Sequence, residues 1–151
     1  MSMDKKTTIA LVILVIVVIA GGVLIALPSK SNQKEENTNT ETSFVSPNVR
    51  VQLPYPGANV LKQFKVSGEA RGTWYFEASF PVEVQDKEGN VIGHGIAQAL
   101  EDWMTEEFVP FEAPISIEGN YSGPATLILK KDNPSGLPEH EDSVSFPINI
   151  L

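Results

Sequence analysis

A chain of 151 residues with no cysteine, 42% hydrophobic side chains and a formal net charge of -8 has the composition of one ordinary folded domain. The missing cysteines exclude a disulfide framework, a thiolate metal site, a cysteine nucleophile and a lipid-modified cysteine. The acidic balance speaks against a nucleic-acid partner, because the seven Lys and Arg of residues 48–151 are scattered rather than gathered in a stripe.

Residues 1–8 are a short polar N-terminus that carries Lys5 and Lys6. The run from Ile9 to Leu27 has no charged or polar side chain over nineteen positions, and as a helix it spans roughly 28 Å, close to the hydrocarbon thickness of a bilayer. A secretory signal has a shorter apolar core that ends at its cleavage site. Here Ala20, Gly21 and Gly22 interrupt the run, and Val23 to Leu27 continue it. The pattern predicts an uncleaved single-pass anchor at residues 9–27. With Lys5 and Lys6 before the span, the N-terminus is expected to be cytoplasmic and the rest outside. Residues 28–47 are rich in Ser, Thr, Asn, Gln and Glu and are expected to form a disordered polar tether with a root-mean-square span on the order of 25 Å.

Period-two alternation of apolar and polar residues dominates residues 48–151 and predicts about seven strands. In chain order, the apolar positions are Val49, Val51 and Leu53; Phe64, Val66 and Ala70; Trp74, Phe76, Ala78, Phe80, Val82 and Val84; a stretch from Val91 to Ala99; Val109, Phe111, Ala113, Ile115 and Ile117; Ala125 to Lys130; and Val144, Phe146, Ile148 and Ile150. Gly93 and Gly95 blur the fourth strand and point to a bulge or a close backbone approach. Pro81 and Pro147 call for edges, solvent faces or bulges. Turn-forming residues separate all seven. The expected fold class is all-β: an immunoglobulin-like antiparallel sandwich of two sheets, with a small barrel as the alternative.

Seven strands running alternately up and down send the loops after the second, fourth and sixth strands to one end. That tip receives the unusual segments RGT, EDWMTEE and KDNPSGLPEHED, while plain turns such as DKEGN fall at the other end. The same alternation predicts that the tether joins the domain at the tip.

The segments RGTWYFEASFPVEVQDKEG, EDWMTEEFVPFEAPI and LKKDNPSGLPEHEDSVSFPI together resemble the immunoglobulin-like domain of bacterial spore germination, a module often found beside GerMN domains. The resemblance implies an immunoglobulin-like sandwich exported to the bacterial envelope, with a binding or adhesion role and no established catalytic residues; together with the anchor at residues 9–27 it places the domain outside the bacterial cell membrane.

The candidate binding residues lie at the tip: Arg71, Trp103, Met104, Asp132, Asn133 and Ser135. Trp103 and Met104 read either as an exposed platform for a glycan ring or partner side chain, or as a lid closing the core. The tip carboxylates Glu101, Asp102, Glu106, Glu107, Asp132, Glu139, Glu141 and Asp142 lack the regular spacing of a calcium loop and read as a solvated rim. Asp132 and Asn133 can bond their own backbone, with Pro134 and Gly136 fixing the turn. His94 has no activating partner. Ser135, His140 and Asp142 sit in one loop without rigid support for a triad. No catalytic residue, metal site or cofactor is assigned. The expected function is non-catalytic binding of peptidoglycan, peptide or a neighbouring envelope protein. The alternative is a structural domain within a larger assembly.

Overall fold

The computed structural model describes residues 43–151. The short N-terminus, the expected membrane span at residues 9–27 and the tether up to residue 42 lie outside that range. Alternation sorts side chains strictly over most of the chain. Val49 and Val51, Phe80, Val82 and Val84, Val109, Phe111, Ala113, Ile115 and Ile117, and Phe146, Ile148 and Ile150 are all buried, while their sequence neighbours face outward, as a half-buried pleated strand requires. The strands are β1 (Phe44–Val45), β2 (Val49–Leu53), β3 (Asn59–Val60), β4 (Gln63–Arg71), β5 (Ser79–Asp86), β6 (Val91–Ala99), β7 (Phe108–Ile117), β8 (Gly123–Lys130) and β9 (Ser143–Ile150).

The seven expected strands are β2 and β4 to β9; the two-residue strands β1 and β3 are additional. Hydrogen bonding links all nine in the order β1-β2-β4-β7-β6-β5-β8-β9-β3. Reading β2 and β4 to β9 as A to G, this is A-B-E-D followed by C-F-G, the strand sets of an immunoglobulin-like domain. The expected separation into two sheets is corrected: one continuous sheet curls around the core. β6 pairs with β5 from Ser79↔Gln98 to Gln85↔Val91 but meets β7 only near its two ends, at Gly93–His94 and Gln98–Ala99. The glycines permit that shared strand. A Cβ on Gly95 would fall on the Pro114 carbonyl oxygen, and one on Gly93 would stand 2.8 Å from the Ser116 carbonyl oxygen.

The prolines end pairing where their missing N–H matters. The β5–β8 ladder stops at Val82↔Leu129, one residue after Pro81. Pro147 turns only a carbonyl toward the β9 edge, where Gly57 N–H donates to it at 2.7 Å. At the end of the sheet away from the candidate tip, Asp86 closes the DKEGN turn by accepting from the Glu88 and Asn90 backbone N–H groups and the Asn90 side chain. These bonds, that of the Asn90 side chain first, hold its carboxyl below the usual range.

Two local expectations change. A tether ending at residue 47 and joining at the tip is not what forms. Instead Phe44 pairs with Val51 and Val45 with Arg50, and Phe44 stacks on Phe146 at 5.0 Å. The Ser46–Asn48 turn lies at the tip, and β1 runs toward it from partway down the domain. Nor does the third strand begin at Trp74. Gly72–Trp74 is a 3-10 turn, and Phe76–Ser79 closes as a two-residue hairpin turn, with mutual N–H to carbonyl bonds of 3.0 and 3.1 Å between its ends.

That turn shifts the alternation. Trp74 stays buried, but Tyr75, expected outside, is buried, and Phe76, expected inside, is 42% exposed. The Tyr75 hydroxyl donates to the Val109 carbonyl at 2.7 Å, and burial pushes its pKa well above the ordinary tyrosine range. Replacing Tyr75 with Phe removes this bond from a carbonyl that also faces Ala70 in the β4–β7 ladder. Urea denaturation should show a loss of about 0.5–1.5 kcal/mol, with β-sheet circular dichroism unchanged below the transition.

Candidate functional site

The loops after β4, β6 and β8 do meet at one end, and backbone hydrogen bonds bind them together. Gly72 N–H donates to the Glu107 carbonyl at 2.9 Å, joining the β4–β5 loop to the β6–β7 loop. Asp132 N–H donates to the Trp74 carbonyl at 3.0 Å, joining the β4–β5 loop to the β8–β9 loop. Gly72 is packed so closely that a Cβ would fall on the Thr105 and Trp103 carbonyl oxygens. The Asn48 amide reaches Asp142 at 3.1 Å and ties the β1–β2 turn to the same end.

Of the six residues singled out in the sequence, three are brought into one cleft. Asp132, Asn133 and Ser135 line a hollow of about 340 Å³ between the β4–β5 and β8–β9 loops, walled by Phe76 and bordered by Thr73, Lys131 and His140. Arg71, Trp103 and Met104 do not line it. Arg71 holds the neighbouring loop in shape. Its guanidinium carbon lies 4.2 Å from the centre of the Phe108 ring, and it donates to the Glu106 carbonyl at 3.2 Å. Arg50, the only other arginine of the chain, sits 3.8 Å over the same ring. Trp103 is partly buried and packs against the core, the second of the two roles read from sequence, while Met104 is 76% exposed.

The exposed aromatic of the cleft is therefore Phe76. Glu77 and Ala78 follow it with φ of 49° and 63°, a left-handed pair that suits Asn-Gly and costs other residues about 1–3 kcal/mol each. The turn is held by its flanks: Trp74 and Tyr75 are buried on one side, and on the other Ala99 N–H donates to the Ala78 carbonyl at 2.8 Å. Sequence reasoning missed Phe76 because nothing in Glu-Ala signals a turn. In the sequence His140 stands out only as a possible base, and its place in the cleft depends on the 3-10 turn Pro138–His140.

Polar groups on the opposite wall are fixed by one another. The Asn133 amide donates to the Leu137 carbonyl at 2.9 Å, and the Ser135 hydroxyl donates to Asn133 Oδ1 at 2.6 Å while accepting from Leu137 N–H at 3.2 Å. His140 Nδ1 lies 3.1 Å from Ser135 Oγ. Since the single Ser135 proton is donated to Asn133, the neutral imidazole completes this contact with its own Nδ1–H, leaving Nε2 as an acceptor. The Ser135 hydroxyl is thus engaged in holding the turn, with the His140 imidazole beside it. On the far side of this loop a second hollow of about 530 Å³ carries Lys130, Lys131, Glu141 and Asp142. Glu101, Asp102, Glu106, Glu107, Glu139, Glu141 and Asp142 are exposed around the tip. Among the described residues no group of three or more His, Asp or Glu is gathered closely enough to hold a metal ion.

Strand order, a core enclosed by one curled sheet and loops converging on one end define an immunoglobulin-like domain. The chain belongs to the family described as the immunoglobulin-like domain of bacterial spore germination, whose family model matches residues 48–136. That match runs from the start of β2 into the β8–β9 loop. No curated protein and no solved structure matches the chain significantly.

If the Glu77–Ala78 turn is kept for what it presents, the double substitution Glu77→Asn with Ala78→Gly, which installs the favoured turn pair, should stabilise the protein by about 1 kcal/mol in urea denaturation. Unchanged or lower stability would mean that the flanking structure already removes the strain.

Proposed function

We propose that this protein is a membrane-anchored, extracytoplasmic binding module of the bacterial envelope, non-catalytic, which recognises envelope glycan, peptide or a neighbouring membrane protein through its loop tip. The observation that carries this reading is the cleft beside Phe76: an exposed aromatic ring on a left-handed turn, faced by polar groups whose positions are fixed by the loop itself. Pockets of this kind combine apolar surface with a few placed polar groups. Strain of this kind persists only where the surroundings over-determine it, and it clusters at sites of function. The anchor rests on the nineteen positions from Ile9 to Leu27 that carry no charged or polar side chain. The non-catalytic part is supported by the placement of Ser135, His140 and Asp142 in a single exposed loop, without the rigid support a triad needs.

A structural role within a larger assembly, without an independent ligand, is the second reading. It is favoured by Arg71, Asn133 and Ser135, whose polar groups are spent on bracing the tip. The two readings differ in what the tip touches in cells. A photoreactive residue at Trp103 or Ser135 should give discrete crosslinks to envelope material, whereas one at Lys87, Glu88 or Asn90 on the opposite end should give few. The protein should also stay with the membrane during alkaline extraction. Equal crosslinking from both ends, in variants with unchanged melting temperature, would overturn the tip reading; release by alkali would overturn the anchor.

A further inference from the structure

We propose that the Phe76 cleft binds a pyranose ring of a glycan, an inference that rests on the tip reading and names its ligand class. Phe76 presents an aromatic surface at 42% exposure, and it lines the same hollow as Asp132 and His140. A π-face is electron-rich, so it attracts the C–H face of a sugar ring, whose hydrogens carry partial positive charge. The equatorial hydroxyls of such a ring project from its edge, where they need fixed hydrogen-bonding groups. Asp132 supplies carboxylate oxygens that accept from hydroxyls. His140 supplies Nε2, left as an acceptor by its Nδ1 contact with Ser135.

A peptide fits this hollow less well. A peptide added as a strand needs rows of backbone donors and acceptors on an open strand edge, and the tip cleft is walled by side chains and loop turns instead. A ring-sized hollow of about 340 Å³ lies within the range of small-molecule sites. The positions of its wall and floor are also independent of the ligand: buried Trp74 and Tyr75 hold the turn under Phe76, while the Asn133–Ser135–Leu137 bonds hold the opposite loop. Little ordering is then left to be done on binding, which favours affinity for a weakly interacting ring.

The test is an NMR titration of the full chain, held in a zwitterionic detergent without a sugar headgroup, because an alkyl glycoside would compete. Chitotetraose is the glycan probe, and the free tripeptide Ala-Glu-Lys is the peptide probe. The proposal expects chitotetraose to shift the Phe76 ring and His140 imidazole signals, with an affinity that Phe76→Ala weakens by about tenfold or more. Asp132→Asn should weaken it as well, and Lys87→Ala at the opposite end should leave it unchanged. Melting temperature is read for each variant, and a retained value assigns the loss to the site. Absence of chitotetraose binding, binding indifferent to Phe76→Ala, or occupation of the cleft by the tripeptide alone would each overturn the glycan inference. Such a result would leave the tip reading standing if crosslinks from Ser135 persist in cells; loss of those crosslinks would sink the tip reading itself.

Discussion

The Phe80 ring is the contact on which the arrangement of the tip depends. Its centroid lies 5.0 Å from that of Phe111, 5.1 Å from that of Tyr75 and 5.9 Å from that of Trp74, edge-on in every case. Phe111 belongs to β7 and Phe80 to β5, so one aromatic pair joins two strands that are not hydrogen-bonded to each other. Trp74 and Tyr75 lie in the loop before β5. The same cluster that closes the core therefore seats that loop, and aromatic pairs of this geometry add about 0.5–1.5 kcal/mol each beyond their burial. The Trp74 indole Nε1 is buried without a hydrogen-bond partner among the described residues. The orphaned donor is a cost the packing must exceed.

From this seating the exposure of Phe76 follows. Trp74 and Tyr75 occupy consecutive positions and both turn inward, which an extended strand cannot do. The chain must break its alternation, and it does so in the 3-10 turn that ends at Trp74 and the left-handed pair after Phe76. The aromatic left outside by that break is the wall of the cleft. The opposite wall depends on the Asn133–Ser135 network and on the Asp132 bond to the Trp74 carbonyl, so both sides are referred to the same buried residues.

The strands were legible in the sequence because alternation of apolar and polar side chains is a direct image of a sheet with one buried face. The Gly93 and Gly95 stretch was legible as a close approach for the same reason, since a missing side chain in a strand has few other uses. What was hidden is the class of feature that composition does not mark. Glu77 and Ala78 adopt a conformation that neither favours on its own, and only the surrounding core imposes it. β1 and β3 contain two residues each, too few to show a period. Continuity between the two layers depends on β6 pairing with both neighbours, a long-range choice that no local pattern encodes. Among the candidate residues, placement at the tip could be read from strand count alone. The distinction between Arg71, which braces a loop, and Asp132, which faces a hollow, required the contacts.

The short β1 pair has a mechanical meaning. β1 lies antiparallel to β2 and runs toward the tip, so a pull on the chain before Phe44, with the tip held, acts along the strands and shears two paired residues together with the Phe44–Phe146 stack. Those contacts are far fewer than the ladders of β4, β5 or β8, and they carry the load first. Once they part, residues 44–47 are freed as far as Asn48, whose carbonyl accepts from Arg71 N–H, and each spans at most roughly 3.3–3.6 Å, while β2 to β9 and the core they enclose remain intact. Under such a pull the hairpin is thus the first part of the domain to yield, and it releases a short length of chain while the ladders of the core stay closed.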